Sequence, residues 1–285
     1  MKFIVITGGV ISGLGKGITA SSIALLLKDI GYSVTAVKID PYLNVDAGTM
    51  SPFEHGEVFV LEDGTETDLD LGNYERFLDI KLHEEHNITG GKVFKKIIDA
   101  ERRGDYLGQT VQFIPHVSNK IQEMLEEAAN IIVDGTKKPE ICVVELGGTI
   151  GDMESMHFVE ALRQMSYDSN KHSFCFVHVS LIINNHGEEK TKPTQNSVSD
   201  LRKMGIIPNL LVLRSSFEIT DGIREKISRQ CQVKSDNIFT NLDLQNIYQV
   251  PIHLGKQYII NSIEKVLSLK PSVNYDFNRM SNINK

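Results

Sequence analysis

The chain has 285 residues, enough for one large α/β domain or two small ones, and its 41% hydrophobic and 24% charged residues exclude a disordered polymer. A formal net charge of -7 excludes nucleic-acid binding by overall charge, so anionic ligands must be met by local basic clusters. Three cysteines are too few for a disulfide framework, no apolar stretch reaches membrane-span length, and the start lacks a basic-then-apolar leader. The expectation is a soluble cytoplasmic protein with no membrane partner and no nucleic-acid partner.

In chain order, Ile4-Val5-Ile6 feeds Thr7-Gly8-Gly9-Val10-Ile11-Ser12-Gly13-Leu14-Gly15-Lys16-Gly17, and an Ala/Leu-rich helix pattern from Ile18 to Ile30 follows, capped by Gly31. Strand, glycine loop and helix N-terminus together suit a polyphosphate: backbone N–H groups, the positive helix end and an ammonium converge on it. The run departs from the G-x-x-x-x-G-K-[ST] phosphate loop, because Gly9 comes one residue early and Gly17 stands where the magnesium-binding hydroxyl belongs. If the loop holds a nucleotide, carboxylates elsewhere must hold the metal.

Ser33–Asp40 reads as the next strand, ending in Lys38 and Asp40, so a βαβ unit opens a parallel sheet. Ligands of such sheets bind beyond the carboxyl ends of the strands, which favours the following Gly/Pro-rich loop. Val58–Leu61 and Thr65–Leu71, joined by Glu62-Asp63-Gly64, suggest a hairpin that would place Asp68 and Asp70 on one face of a strand; solvated surface acids are the plainer reading. A basic helix follows over Lys92–Arg103, then a short strand over Thr110–Pro115, and an amphipathic helix over Asn119–Ala129.

Ile141–Thr149 is the most apolar strand, and Glu145 interrupts it directly before a glycine turn. A carboxylate there is costly unless paired or metal-bound, and acids at strand ends anchor metals in phosphate-loop enzymes; a buried structural pair is the alternative. Gly151–Ser155 opens a helix whose first-turn acids capping alone would explain. After the Phe174–Ile183 strand, Lys190-Thr191-Lys192-Pro193-Thr194-Gln195 sets two lysines before a helix that Thr194 can cap and that runs to Met204; Pro193 favours an extended Lys192. That is a second polyphosphate site or a solvated turn. Leu210–Leu213 is a strand, Ile223–Cys231 a helix, Ile238–Asp243 the last strand and Ile259–Leu267 a helix. Six or so strands alternating with helices argue for one three-layer α/β/α domain with a mostly parallel sheet.

The loop, Lys38-Ile39-Asp40-Pro41-Tyr42, Met50-Ser51-Pro52 with Glu54-His55-Gly56-Glu57-Val58, and Asp68–Phe77 resemble the amidoligase (synthetase) domain of the CTP synthase family. Arg103–Gly108, Glu145–Asp152 and Lys190–Gln195 continue the match in order, from residue 4 to about residue 254. The resemblance implies a P-loop NTPase-like, dethiobiotin-synthetase-like fold over residues 1–270, with 271–285 a linker towards a glutamine amidotransferase domain that this chain lacks. It implies a ligase of pyrimidine biosynthesis: ATP phosphorylates the uracil 4-oxygen of UTP, and ammonia then displaces phosphate to give CTP.

By resemblance, Gly13, Leu14, Gly15, Lys16, Gly17 and Ile18 wrap the ATP phosphates, with Lys16 and Lys38 the catalytic cations. Asp70 and Glu145 match the Mg²⁺ ligands, and Asp243 the adenine-contacting position. Ser12, Lys190, Thr191, Lys192, Pro193, Thr194, Gln195 and Lys226 match the UTP triphosphate site. Asp152, Met153 and Glu154 match a segment that contacts the feedback inhibitor CTP. Gln112 lies in a motif near the pyrimidine, and His55 near the ammonia route. The resemblance also implies homotetramers that stack into filaments, and a chain without the amidotransferase triad that uses free ammonium, not glutamine. A dethiobiotin-synthetase-like carboxylate phosphorylator explains the loop but not Lys190 and Lys192; a partition-type ATPase needs no pyrimidine nucleotide.

Overall fold

The strand β1 (Lys2–Gly8) is buried along nearly its whole length, as an apolar run at the centre of a parallel sheet must be. The computed structural model describes residues 1–271 except 10, 12, 168–170, 186 and 187, and leaves out the side chains of Glu54, His55 and Asn185. After β1 come α1 (Lys16–Asp29), β2 (Val34–Asp40), the short α2 (Pro52–His55), β3 (Phe59–Val60), β4 (Glu66–Thr67), α3 (Leu69–Leu78), β5 (Asn87–Thr89), α4 (Gly90–Arg103), α5 (Ser118–Asn130) and β6 (Ile141–Leu146). The second half runs α6 (Met156–Tyr167), β7 (Ser173–Leu181), β8 (Ile183–Asn185), β9 (Glu188–Lys190), α7 (Lys192–Lys203), β10 (Leu210–Ser215), α8 (Asp221–Cys231), β11 (Ile238–Leu242), α9 (Val250–Lys256) and α10 (Ile259–Leu267).

The main sheet has seven strands in the order β11-β10-β7-β1-β6-β2-β5, every neighbouring pair parallel. Side-chain alternation then sorts the core into two layers. Ile4, Ile6, Ala36, Val143 and Val177 face α1, α3, α9 and α10, whereas Phe3, Val5, Val37, Val144 and Leu146 face α4, α5 and α6. Beyond β10, Leu211 and Leu213 pack with Ile227 of α8. The three-layer α/β/α expectation holds. The strand order is built outward on both sides of β1: the chain leaves β6 on one side of it and enters β7 on the other. The loops after β1, β6 and β7 therefore gather at one crevice, where ligands of such sheets bind.

Four local expectations fail. Asp68 and Asp70 do not lie on a strand; β4 stops at Thr67, and the Asp68 carboxylate accepts from the Asp70 N–H at 2.9 Å and so caps α3. Thr110–Pro115 is not a strand either, because Pro115 cannot donate to a ladder; Phe113–Val117 instead forms one π-type turn, with the Ile114–Pro115 bond cis. Thr194 does not cap α7 and Lys192 is not extended: the helix begins at Lys192, and the buried Thr194 hydroxyl donates to the Leu181 carbonyl at 3.2 Å. The seventh strand, β5, is short and polar, with Asn87 buried and its amide donating to Asp40 at 2.9 Å.

Candidate functional site

Strand register brings the first catalytic candidates together. β2 and β6 are in register with Lys38 opposite Glu145, and alternation points both to the α1 side of the sheet, below the glycine loop. The Lys38 ammonium lies 3.1 Å from Glu145 Oε1 and 3.9 Å from Asp40 Oδ1, and it also donates to the Asp70 carboxylate. Glu145 is only 2% exposed. Its other oxygen accepts from the Tyr74 hydroxyl, so both oxygens of this buried carboxylate are engaged.

The charges hold one another in place. Burial opposes the Lys38 charge, but Glu145, Asp70 and Asp40 outweigh it and keep the ammonium protonated well above its usual range. Burial raises Glu145 despite Lys38. For Asp70, burial also pushes upward, yet Lys38 wins and the carboxyl stays below its ordinary value. Lys16, the first residue of α1, is lowered by burial, and its ammonium donates to the Gly148 carbonyl at 2.7 Å.

Gly17 now has a physical reason. A Cβ built there would lie 2.1 Å from Asp70 Oδ1, so the Asp70 carboxylate fills the space that a hydroxyl side chain occupies in an ordinary phosphate loop. The acid is carried there by the first turn of α3, which packs against α1. Asp70 and Glu145 thus offer hard carboxylate oxygens around one cationic centre, held here by the Lys38 ammonium. Mg²⁺ is typically bound through one or two carboxylates and completed by substrate phosphates, and these residues fit that chemistry. Among the described residues, no three His, Cys, Asp or Glu side chains form a cage from protein alone.

These groups line one cavity of about 910 Å³, walled by Gly13, Leu14, Gly15, Lys16, Gly17 and Ile18 on one side and by Lys38, Asp40, Asp70, Glu145, Gly147 and Gly148 on another. Asp152 and Glu154 also reach it. On the far side of the turn after β6, a second cavity of about 400 Å³ is lined by Thr149, Ile150, Lys192, Pro193 and Ser197. Lys190, on β9, pairs with Glu188 at 2.6 Å; the Lys190 hydrogen bond and charge, aided by Lys226, hold the Glu188 carboxyl below its usual range. Thr191 is buried before α7, with its hydroxyl accepting from Gln195 at 3.0 Å.

Three candidates lie elsewhere. Met153 is 83% exposed and lines a separate apolar cavity of about 620 Å³ with Phe113, Ile114 and Met156. Gln112 is exposed, with its backbone N–H donating to His116 at 3.0 Å, and is not among the residues lining these cavities. Asp243 does not line the 910 Å³ cavity; its carboxylate accepts from Arg214 at 2.6 Å, and Arg214 in turn reaches the outer side of the loop at Gly15. Ser12 and the side chain of His55 lie outside the described residues.

A family model described as CTP synthase N-terminus matches residues 2–269. The chain belongs to the CTP synthase N-terminus family. Curated relatives include a CTP synthase of Dictyostelium discoideum, 54% identical over 276 residues, which span 96% of this chain and 48% of that protein. CTP synthase 2 of Homo sapiens is 55% identical over 272 residues, 94% of this chain and 46% of that protein. The chain thus spans about half the length of the curated relatives it matches. Solved structures similar to it include a plasmid partition protein of Borrelia burgdorferi, at 10% identity and a TM-score of 0.43 over 93% of this chain and 99% of that one. The signal recognition particle 54 kDa protein of Aeropyrum pernix, in complex with GDP, has 12% identity and a TM-score of 0.42 over 93% and 49%.

Sequence reasoning missed three members of the site. Tyr74 lies one helical turn after Asp70 on α3, and reading that segment as a helix is the signal that would expose it. Asp40 ends a strand two residues after Lys38, on the same face, where alternation places it beside Glu145. Arg214, the partner of Asp243, carries no local signal, since only the sheet order sets β10 beside β11. No described helix is long and apolar enough to cross a membrane.

Proposed function

We propose that this chain performs the amidoligase half of CTP synthesis: ATP phosphorylates the uracil 4-oxygen of UTP, and ammonia displaces the phosphate to give CTP. The observation that carries the reading is the pairing of two cation-lined cavities across one turn. Lys16 and Lys38 look into one, Lys192 into the other, and the Gly147–Asp152 segment lies between them.

In this reading the ATP phosphates lie over Gly13–Ile18 at the N-terminus of α1, where backbone N–H groups and the helix dipole favour anions. Lys16 and Lys38 neutralise charge on the phosphoryl group in transit, and their fixed positions supply orientation and electrostatic stabilisation together. Asp70 and Glu145 hold magnesium, which when bound contributes charge neutralisation between the phosphates. Asp243 serves the adenine side through its Arg214 partner. Lys190, Lys192 and Lys226, with Ser12 and the start of α7 through Gln195, receive the UTP triphosphate. Asp152, Met153 and Glu154, with Gln112, attend the pyrimidine of UTP or of CTP as feedback inhibitor, and His55 the ammonia route.

Residues 1–270 form the amidoligase domain, and 271–285 lead towards an amidotransferase domain. The exposed apolar residues around Met153 and Phe113 suit contacts in a homotetramer that stacks into filaments. The net charge of -7 and the buried thiols suit a cytoplasmic enzyme of free nucleotides that binds neither nucleic acid nor membrane. The test is CTP formation by this chain from UTP, magnesium ATP and ammonium chloride. CTP should form with ammonium and not with glutamine; ATP hydrolysis without CTP in either case contradicts the reading.

A further inference from the structure

One buried polar group takes no part in the chemistry above. His178, in the middle of β7, is fully buried, with Nδ1 2.9 Å from the Thr7 hydroxyl and Nε2 2.6 Å from the Ser197 hydroxyl. Thr7 is its register partner at the carboxyl end of β1, directly before the glycine loop. Ser197 sits on α7, on the wall of the cavity that holds Lys192. Burial, with the nearby Lys16 charge, pushes the imidazole down to about 3, so the ring is neutral at physiological pH. A neutral ring donates at one nitrogen and accepts at the other, so one hydroxyl gives and the other receives. Both ring nitrogens are therefore satisfied, and the bridge is a fixed strut.

The sheet end carries a load on each face. On the α1 face, the Lys16 side chain crosses Gly8 so closely that a Cβ there would lie 2.6 Å from its Cδ. On the opposite face, a Cβ on Gly9 would lie 1.6 Å from Ser197 Oγ, so the loop backbone rests directly on α7. On that second face, His178 ties β1 to α7 through the Thr7 and Ser197 hydroxyls.

We infer that His178 is a positioning residue: the Thr7–His178–Ser197 bridge fixes the start of the phosphate loop against α7, and so sets the distance between phosphoryl donor and acceptor. The inference rests on the two-nucleotide reading above. Its physical content is geometric. The anion contacts that bind each nucleotide come from other groups, whereas the approach of the two reactants depends on the relative placement of loop and helix. A displacement of about 1 Å between reacting groups can cost roughly a hundredfold in rate with little change in binding.

The test compares Thr7→Val, which keeps the shape and removes the hydroxyl, with Thr7→Ser, which restores the hydroxyl, and with His178→Asn, whose shorter amide can reach Thr7 but not Ser197. Initial rates of CTP formation by the 285-residue chain, at varied ATP and UTP, are normalised to the folded fraction from thermal unfolding. Thr7→Val and His178→Asn should lower kcat by about tenfold to a hundredfold, with both KM values within about threefold, and Thr7→Ser should return kcat to near the unsubstituted level. Unchanged kcat in Thr7→Val and His178→Asn, a loss confined to KM, or a loss that vanishes on normalisation overturns the inference. A chain that makes no CTP before any substitution overturns the functional reading instead.

Discussion

The Asp70 carboxylate occupies the place that a side chain on Gly17 would need: the built Cβ lies 2.1 Å from Oδ1 and 2.8 Å from Cγ. The missing hydroxyl of the loop and the acid on α3 are two halves of one arrangement. Restoring the ordinary motif by Gly17→Ser should therefore damage the site, even though serine is the better helix residue. The substitution drives Asp70 off Lys38, so magnesium-dependent ATP affinity should fall by about tenfold, roughly 1.4 kcal/mol, while circular dichroism stays unchanged. Calorimetric titration with ATP in the presence and absence of magnesium checks this; tighter ATP binding by the serine variant would show that the carboxylate is not the working group.

Lys16 and Lys38 should separate activity from stability. Lys16 is buried at a cost, as its lowered pKa records, and its ammonium donates to the Gly148 carbonyl and forms no ion pair among the described residues. Lys16→Ala should melt close to the unsubstituted chain yet lose about a thousandfold in kcat/KM, about 4 kcal/mol of transition-state stabilisation. Lys38→Ala leaves Glu145, Asp70 and Asp40 facing one another without their cation. Unfolding in urea should show that variant destabilised by about 3–5 kcal/mol in the absence of magnesium.

Tyr74 contributes through one hydroxyl. In Tyr74→Phe the buried Glu145 loses a donor to a carboxylate that water cannot reach, and stability should drop by about 1.5–3 kcal/mol. A urea midpoint unchanged at constant slope would mean that Glu145 is held by Lys38 alone.

Two buried histidines, His178 and His86, weaken the fold on the acid side. Burial lowers His178 to about 3 and His86 to about 4, whereas an unfolded chain titrates both near the ordinary imidazole value of 6.5. Between those limits the unfolded state binds more protons at these rings, so their contribution to stability falls as pH drops below about 6.5, by up to about 1.4 kcal/mol per pH unit for each ring. Asp40, which burial raises to about 7, works in the opposite sense, so the test is a difference: in thermal unfolding between about pH 6.5 and 5, His178→Asn should lose less stability than the unsubstituted chain, by one ring's share.

Much of this molecule is legible before its coordinates. The β1–loop–α1 unit, the placement of Lys38 at the end of β2 and the cost of Glu145 inside β6 follow from period, glycine spacing and the price of a buried carboxylate. The region around Asp70 does not. Its D-x-D alternation imitates a strand, and only the Asp68 side chain folding back on the Asp70 N–H turns the segment into a helix. Tyr74 stays hidden for the same reason. β5 escapes notice because it has only three residues and Ile88 is its one apolar side chain, between the buried polar Asn87 and Thr89. Thr194 reads as a cap because hydroxyls before helices usually are caps; here Lys192 starts the helix and the hydroxyl is drawn into the sheet by Leu181. The separation of Met153 from Asp152 and Glu154 comes from the first turn of a helix, which sends adjacent residues to different sides.

The central claim is that phosphoryl transfer links the two cavities, passing from ATP to the uracil 4-oxygen before ammonia arrives. UTP carrying a heavy oxygen isotope at that position tests it in one measurement, by mass analysis of the inorganic phosphate formed by this chain with magnesium ATP and ammonium. The label should appear in phosphate in one-to-one ratio with CTP. Label appearing in water instead, with unlabelled phosphate, would contradict the account.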